Sequence, residues 1–258
     1  MARKLETSGL SKWFGDLEAL RGLDISVERG EFISVVGPSG CGKTTFLRII
    51  AGLEPATSGT ITIDGQPLSG PGHNRGFVFQ NDSLLPWRTV LANALIGPEV
   101  SGKMGAPERQ RTLGLLKLVG LGGFEHYFPR QLSGGMRQRV NLARALAIDP
   151  DVLLMDEPFA ALDAQTREIM QTELLRIWEQ GRKTVLFVTH QIDEAVFLSD
   201  RVLVFARRPG RLQESVEIKL PRPRSLEIKR TPEFIGYVDH IWRMIEDDVR
   251  ASVIHEHG

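Results

Sequence analysis

The 258-residue sequence contains a single cysteine, Cys41. This excludes an intramolecular disulfide framework and suits a reducing compartment. Net charge is also missing, because 32 Lys and Arg balance 32 Asp and Glu. That balance argues against holding nucleic acid by bulk electrostatics, so no nucleic-acid partner is expected. The longest apolar runs, such as 152–155 and 202–206, fall far below the roughly 18 residues of a spanning helix. Residues 1–15 lack the apolar core of a signal peptide. What is present is ordinary: 41% hydrophobic and 25% charged residues can supply a sizeable core. The expectation is a soluble, intracellular, globular chain that reaches a membrane only through a partner.

Short β-branched runs at 32–36, 60–63, 76–80, 152–155, 184–189 and 201–205 read as strands. Two of them, VLLM and TVLFVT, are continuously apolar, as in a parallel sheet covered on both faces. Asp64-Gly65 marks a hairpin turn. Residues 44–51 read as a helix stopped by Gly52 and Pro55, and Met136, Val140, Ala143 and Ala147 recur at helical spacing before Pro150. Alternating strands and helices indicate an α/β fold. Residues 81–135, rich in Leu and Gly and cut by Pro86, Pro98, Pro107 and Pro129, read as a mostly helical insertion. From about Glu214 a linker is expected, with Arg222, Arg224, Lys229 and Arg230 solvated. It is followed by an amphipathic helix marked by Phe234, Val238, Ile241 and Ile245.

Gly37-Pro38-Ser39-Gly40-Cys41-Gly42-Lys43-Thr44 matches G-x-x-x-x-G-K-[ST] between a strand and a helix. Backbone N–H groups of such a loop curl around phosphate oxygens, and the helix adds its positive end. Lys43 reaches the β- and γ-phosphates, Thr44 ligates Mg²⁺, and the adjoining Thr45 completes the nucleotide contacts. The run 151–158 ends an apolar strand in Asp156-Glu157. Asp156 suits the Mg²⁺ shell and Glu157 the polarisation of an attacking water. These features alone leave kinases, GTPases and many ATPases open. Ser133-Gly134-Gly135, at a helix start, offers a second anion site.

In their order along the chain, these motifs resemble the ATP-binding subunits of ABC transporters, from about residue 5 to 216. The series runs from the phosphate loop through Gln80, Leu132-Ser133-Gly134-Gly135, Asp156-Glu157 and Ala161-Leu162-Asp163 to His190. The resemblance implies a P-loop NTPase domain with an antiparallel β subdomain and a helical subdomain near 81–135, while 217–258 forms the C-terminal linker and helix. It implies a head-to-tail homodimer in which Ser133 and Gly135 meet the γ-phosphate on the opposite copy's loop. Gln80 resembles the glutamine that contacts Mg²⁺ or the attacking water, His190 the histidine at the γ-phosphate, and Asp163 the aspartate crossing the dimer interface. Phe14 sits where an aromatic stacks on adenine, and the adjacent Trp13 is the alternative. Met136 departs from the usual Gln after the two glycines.

The further implications are ATP and Mg²⁺ as cofactors, a separate transmembrane permease, and a periplasmic or lipid-anchored substrate-binding protein. The position implied is peripheral, on the cytoplasmic side of the inner membrane. Residues 81–87 fall where the family meets its permease. FQNDSLLPWRTV, RPGR at 208–211 and the short tail resemble the nitrate, sulfonate and taurine importers. Two other classes stay open: a soluble ABC ATPase of repair or translation, and a binding-only subunit. Long coiled-coil insertions or a second cassette would mark the former, and neither is present. The latter is opposed by intact Lys43, Asp156, Glu157 and His190. Cys41, inside the phosphate loop, is expected to be alkylated in competition with ATP.

Overall fold

A computed structural model describes residues 3–81, 83–207 and 209–255, with side chains to 246. Asp82, Arg208 and the last three residues of 217–258 lie outside the described residues. The chain forms two compact units, one of residues 1–71 and 182–258, the other of 72–181.

The first unit opens with β1 (Arg3–Phe14) and β2 (Leu17–Glu28), an antiparallel pair interrupted by register shifts. β3 (Phe32–Val36) is buried throughout and runs into α1 (Lys43–Ala51). Gly52, in the left-handed region, ends α1 by donating back to Arg48 and Ile49. β4 (Ser58–Ile63) pairs with both β1 and β5 (Gln66–Pro67). The β4–β5 turn is Asp64-Gly65, with φ of 51° and 73°, the backbone of a two-residue type I′ hairpin. Asp64 also accepts from the buried Lys4, which ties the turn to β1.

The second unit begins with β6 (Arg75–Val78), parallel to β7 (Val152–Asp156). Between them lie α2 (Val90–Ala94), α3 (Ile96–Val100), α4 (Ala106–Leu118) and α5 (Gly134–Ala147), and α6 (Ala164–Gly181) follows. The prolines and glycines that marked this region keep α2 and α3 to five residues each. Asn93, fully buried, bonds Leu85 through both its N–H and its C=O and holds the carbonyls of Arg88 and Thr89. Its side chain thus fixes the loop that lifts Trp87 to 71% exposure.

Back in the first unit come β8 (Thr184–Val188), α7 (Ile192–Leu198), β9 (Arg201–Phe205), β10 (Leu212–Glu217) and α8 (Pro232–His255). Here β3 lies between β8 and β9, parallel to both, and β10 runs antiparallel along β9. Phe46 of α1 packs on Phe205 of β9 with ring centroids 5.6 Å apart, while Phe32 meets Phe187. Each such side chain contributes about 1.5–3 kcal/mol by leaving water.

The segment expected as a solvated linker is different. Its first residues form β10, which hides one side chain, Val216, among charged neighbours and so carries little apolar signal. Arg222 is paired with Asp200, and Lys229 lies over the Phe197 ring. Arg224 is buried against the carbonyls of Val196, Phe197 and Ser199, where it closes the C-terminal end of α7.

Candidate functional site

In the first unit, the loop 37–44 leaves β3 and enters α1. Gly42, at φ 92°, caps the helix start, and a Cβ there would lie 2.5 Å from Leu20 Cδ2. A Cβ on Gly37 would lie 2.4 Å from the Phe205 carbonyl. The loop is therefore built from glycine for want of space as well as for its dihedrals. Lys43 donates to the carbonyls of Gly37 at 2.7 Å and Pro38 at 3.0 Å, which keeps its charge against the loop. Cys41 is fully buried, and burial pushes its thiol pKa up, against the opposing charge of Lys43. Gly210 of the RPGR stretch bonds Ala19 and Arg21 through its backbone, and a Cβ there would fall 2.0 Å from the Cys41 carbonyl.

Two further candidates converge on this unit's loop. Val35 pairs with Val188 in the parallel β3–β8 register, so Gly37 and His190, each two residues on, leave the same strand edge. His190 is exposed, and its neighbours are fixed: Thr189 donates to the buried Glu194 and accepts from the Gln191 N–H. Phe14 stands at the β1–β2 tip. Lys12, its neighbour on the same strand face, is the cross-strand partner of Leu20, whose side chain borders Gly42. Trp13, also exposed, donates its backbone N–H to the Thr57 hydroxyl. The Lys12 ammonium lies 4.7 Å from the Phe14 ring centroid.

In the second unit, Val78 pairs with Met155, and two residues beyond each come Gln80 and Glu157. The Gln80 Nε2 donates to Glu157 Oε2 at 3.2 Å. Asp156 ends β7 and is 3% exposed. Glu157 holds φ at 46°, an unfavourable value for a non-glycine residue and one that turns its carboxylate out of the strand. From α5, Gln138 donates to the carbonyls of Phe79 and Gln80, and Asn141 to that of Phe79. Ser133 caps α5 by accepting from the Met136 N–H. The Gly134 and Gly135 that follow open the helix, and a Cβ on Gly135 would lie 2.8 Å from Leu162. Asp163 caps α6 through the Thr166 N–H, a bond that lowers its carboxyl pKa.

The structure thus brings Phe14, the loop 37–45 and His190 together within one unit. In the other, Gln80 and Glu157 are in contact with Asp156 next in the chain, while Ser133, Gly134 and Gly135 lie at the start of α5 and Asp163 at the start of α6. Sequence reasoning missed Lys12, Glu194, Gln138 and Asn141. Lys12 had a signal, since it occupies a position that alternation from Leu10 turns inward. Gln138 and Asn141 carry the i, i+3 spacing of one helix face. No group of three or more metal-ligating acidic, His or Cys side chains occurs among the described residues.

The family model for the ABC transporter matches residues 20–160. The nitrate import ATP-binding protein of Synechocystis sp. is 47% identical over 247 residues, covering 92% of this chain and 93% of that protein. The taurine import ATP-binding protein of Yersinia pestis is 48% identical over 238 residues, covering 90% and 93%. A dimeric ATP-binding cassette in a post-hydrolysis state, bound to ADP and Pi, matches with a TM-score of 0.75 at 33% identity, covering 84% of this chain and all of that one.

Proposed function

The chain belongs to the ABC transporter family, and we propose that it is the ATP-hydrolysing subunit of an importer for a small anion of the nitrate, sulfonate or taurine kind. The observation that carries the reading is the phosphate loop, where glycines at sterically closed positions, a helix start and the folded-back Lys43 form a cradle for triphosphate. The likeness to nitrate and taurine import proteins supports the anionic cargo.

Catalysis is assigned to positioning and charge. Lys43 and the loop N–H groups bind the phosphates, and Phe14 stacks on the base. Glu157 accepts a proton from the attacking water, oriented by Gln80 at 3.2 Å. His190 steadies the γ-phosphate. The residues assigned to Mg²⁺, Thr44 in one unit and Asp156 and Gln80 in the other, each offer an oxygen donor, the ligand chemistry that ion takes. Those residues would hold Mg²⁺, which would supply charge neutralisation at the phosphates. Ser133 and Gly135 serve a second copy's nucleotide, with Asp163 at that interface. Residues 83–87, with Trp87 exposed, meet a permease at the cytoplasmic face of the membrane, and a separate binding protein delivers the solute. No described helix is long and apolar enough to cross a membrane.

The test is ATPase activity of the chain reconstituted with its permease and binding protein while nitrate, alkanesulfonates and taurine are screened. One of these anions should stimulate turnover. Stimulation by none of them, with another solute active, would overturn the cargo assignment and leave the ATPase assignment standing.

A further inference from the structure

The base platform has a second component. Lys12 is 6% exposed, yet its ammonium is fully engaged: it lies 2.6 Å from Glu54 Oε1, donates to the Pro55 carbonyl at 2.8 Å, and covers one face of Phe14 at 4.7 Å. Glu54 and Pro55 follow the end of α1, the helix that begins at the phosphate loop. A cation buried this deeply costs several kcal/mol unless its partners compensate. Two of those partners are satisfied by geometry alone, and the third is the ring. Phe14 itself is 45% exposed, so part of its surface stays accessible beside the ammonium.

We propose that Lys12 is the positioning residue of the base platform: its ammonium closes one face of Phe14 and fixes the ring, so that a purine stacks on the other. This rests on the reading of Phe14 as the stacking residue. A ring held in advance loses less freedom when a base arrives, which raises affinity without adding a contact to the nucleotide. Of the two aromatics at the hairpin tip, Phe14 is the one whose ring the Lys12 ammonium covers.

The experiment is equilibrium binding to the full chain of two probes, MgATP and inorganic tripolyphosphate, which carries phosphates and no base. Lys12→Met should weaken ATP binding about three- to tenfold and leave tripolyphosphate binding at the wild-type value. Lys12→Arg, which keeps a cation over the ring, should restore ATP binding. In a Phe14→Leu background, Lys12→Met should add no further loss. Equal losses for both probes would make Lys12 a general prop of the hairpin and overturn the proposal. So would unchanged ATP binding in Lys12→Met when Phe14→Leu weakens it. If Phe14→Leu itself leaves ATP binding intact, the stacking assignment of Phe14 falls first, and the role of Lys12 with it. Should Lys12→Met not fold, Glu54→Gln, which loosens the ammonium in place, should lose ATP affinity and keep tripolyphosphate affinity. Wild-type ATP affinity in that variant would then refute the role of Lys12.

Discussion

Gln80 and Glu157 are joined side chain to side chain at 3.2 Å, each two residues past a paired position of parallel strands. The register of β6 and β7 therefore sets the distance between an amide and a carboxylate that lie 77 residues apart in sequence. Glu157 is aimed by its left-handed backbone and steadied by Gln80, which is in turn held through its carbonyl by Gln138.

Glu157→Gln keeps the size and the hydrogen-bonding reach of that side chain and removes its basicity. Steady-state ATP hydrolysis should fall by about 10²–10⁴-fold, while ATP binding persists and the ATP-bound form elutes as a dimer in size-exclusion chromatography. Turnover at the wild-type rate would end the assignment of Glu157 as base.

Gly210 lies outside every motif that touches nucleotide, yet a Cβ on it would press on the Cys41 carbonyl. Gly210→Ala should displace the phosphate loop and lower ATP affinity, measured by calorimetry. Gly114→Ala, at an open helical position, should not change it.

Cys41 is fully buried, with its thiol pKa raised first by burial. Because the thiolate is the nucleophile, its fraction near neutral pH is below that of a free cysteine and grows only as pH climbs past the ordinary thiol range. Alkylation by iodoacetamide should be slow at pH 7, accelerate toward pH 10, and be suppressed by ATP. Fast modification at pH 7 would contradict this burial.

Burial alone would raise the Asp64 carboxyl, but hydrogen bonds and charges from Lys4 and Arg29 outweigh it and hold its pKa below the ordinary carboxylate range. A depressed folded-state pKa contributes stability above the unfolded value near 4, and the contribution disappears as pH falls through the folded value. Thermal stability of the wild type should therefore drop more steeply than that of Asp64→Asn as pH is lowered from about 5 to about 3. Parallel curves would show that the Lys4–Asp64–Arg29 cluster does not titrate with folding.

The phosphate loop was legible because its chemistry lies in eight consecutive residues whose spacing is itself the structure. The type I′ turn at Asp64-Gly65 and the helix stop at Gly52 were legible for the same reason, since each is a local backbone requirement. The partners of Lys12 were not, because Glu54 and Pro55 lie more than 40 residues away and only the fold brings them near. β1 and β2 were hidden by register shifts such as that between Thr7 and Leu10, where the two-residue alternation breaks. The arginines at 222 and 224 read as solvated because sequence shows their charge and omits the acceptors, Asp200 and the end of α7.

Since Val35 is level with Val188, Gly37 and His190 are both counted out from that rung. Removing or adding a single residue in either strand would turn the side chains beyond it to the other face. The exposed turn at 101–105, where Gly102 is already left-handed, has no such count to keep. Changes of chain length are thus confined to turns of this kind, and the strands that deliver the site can vary in composition but not in number of residues.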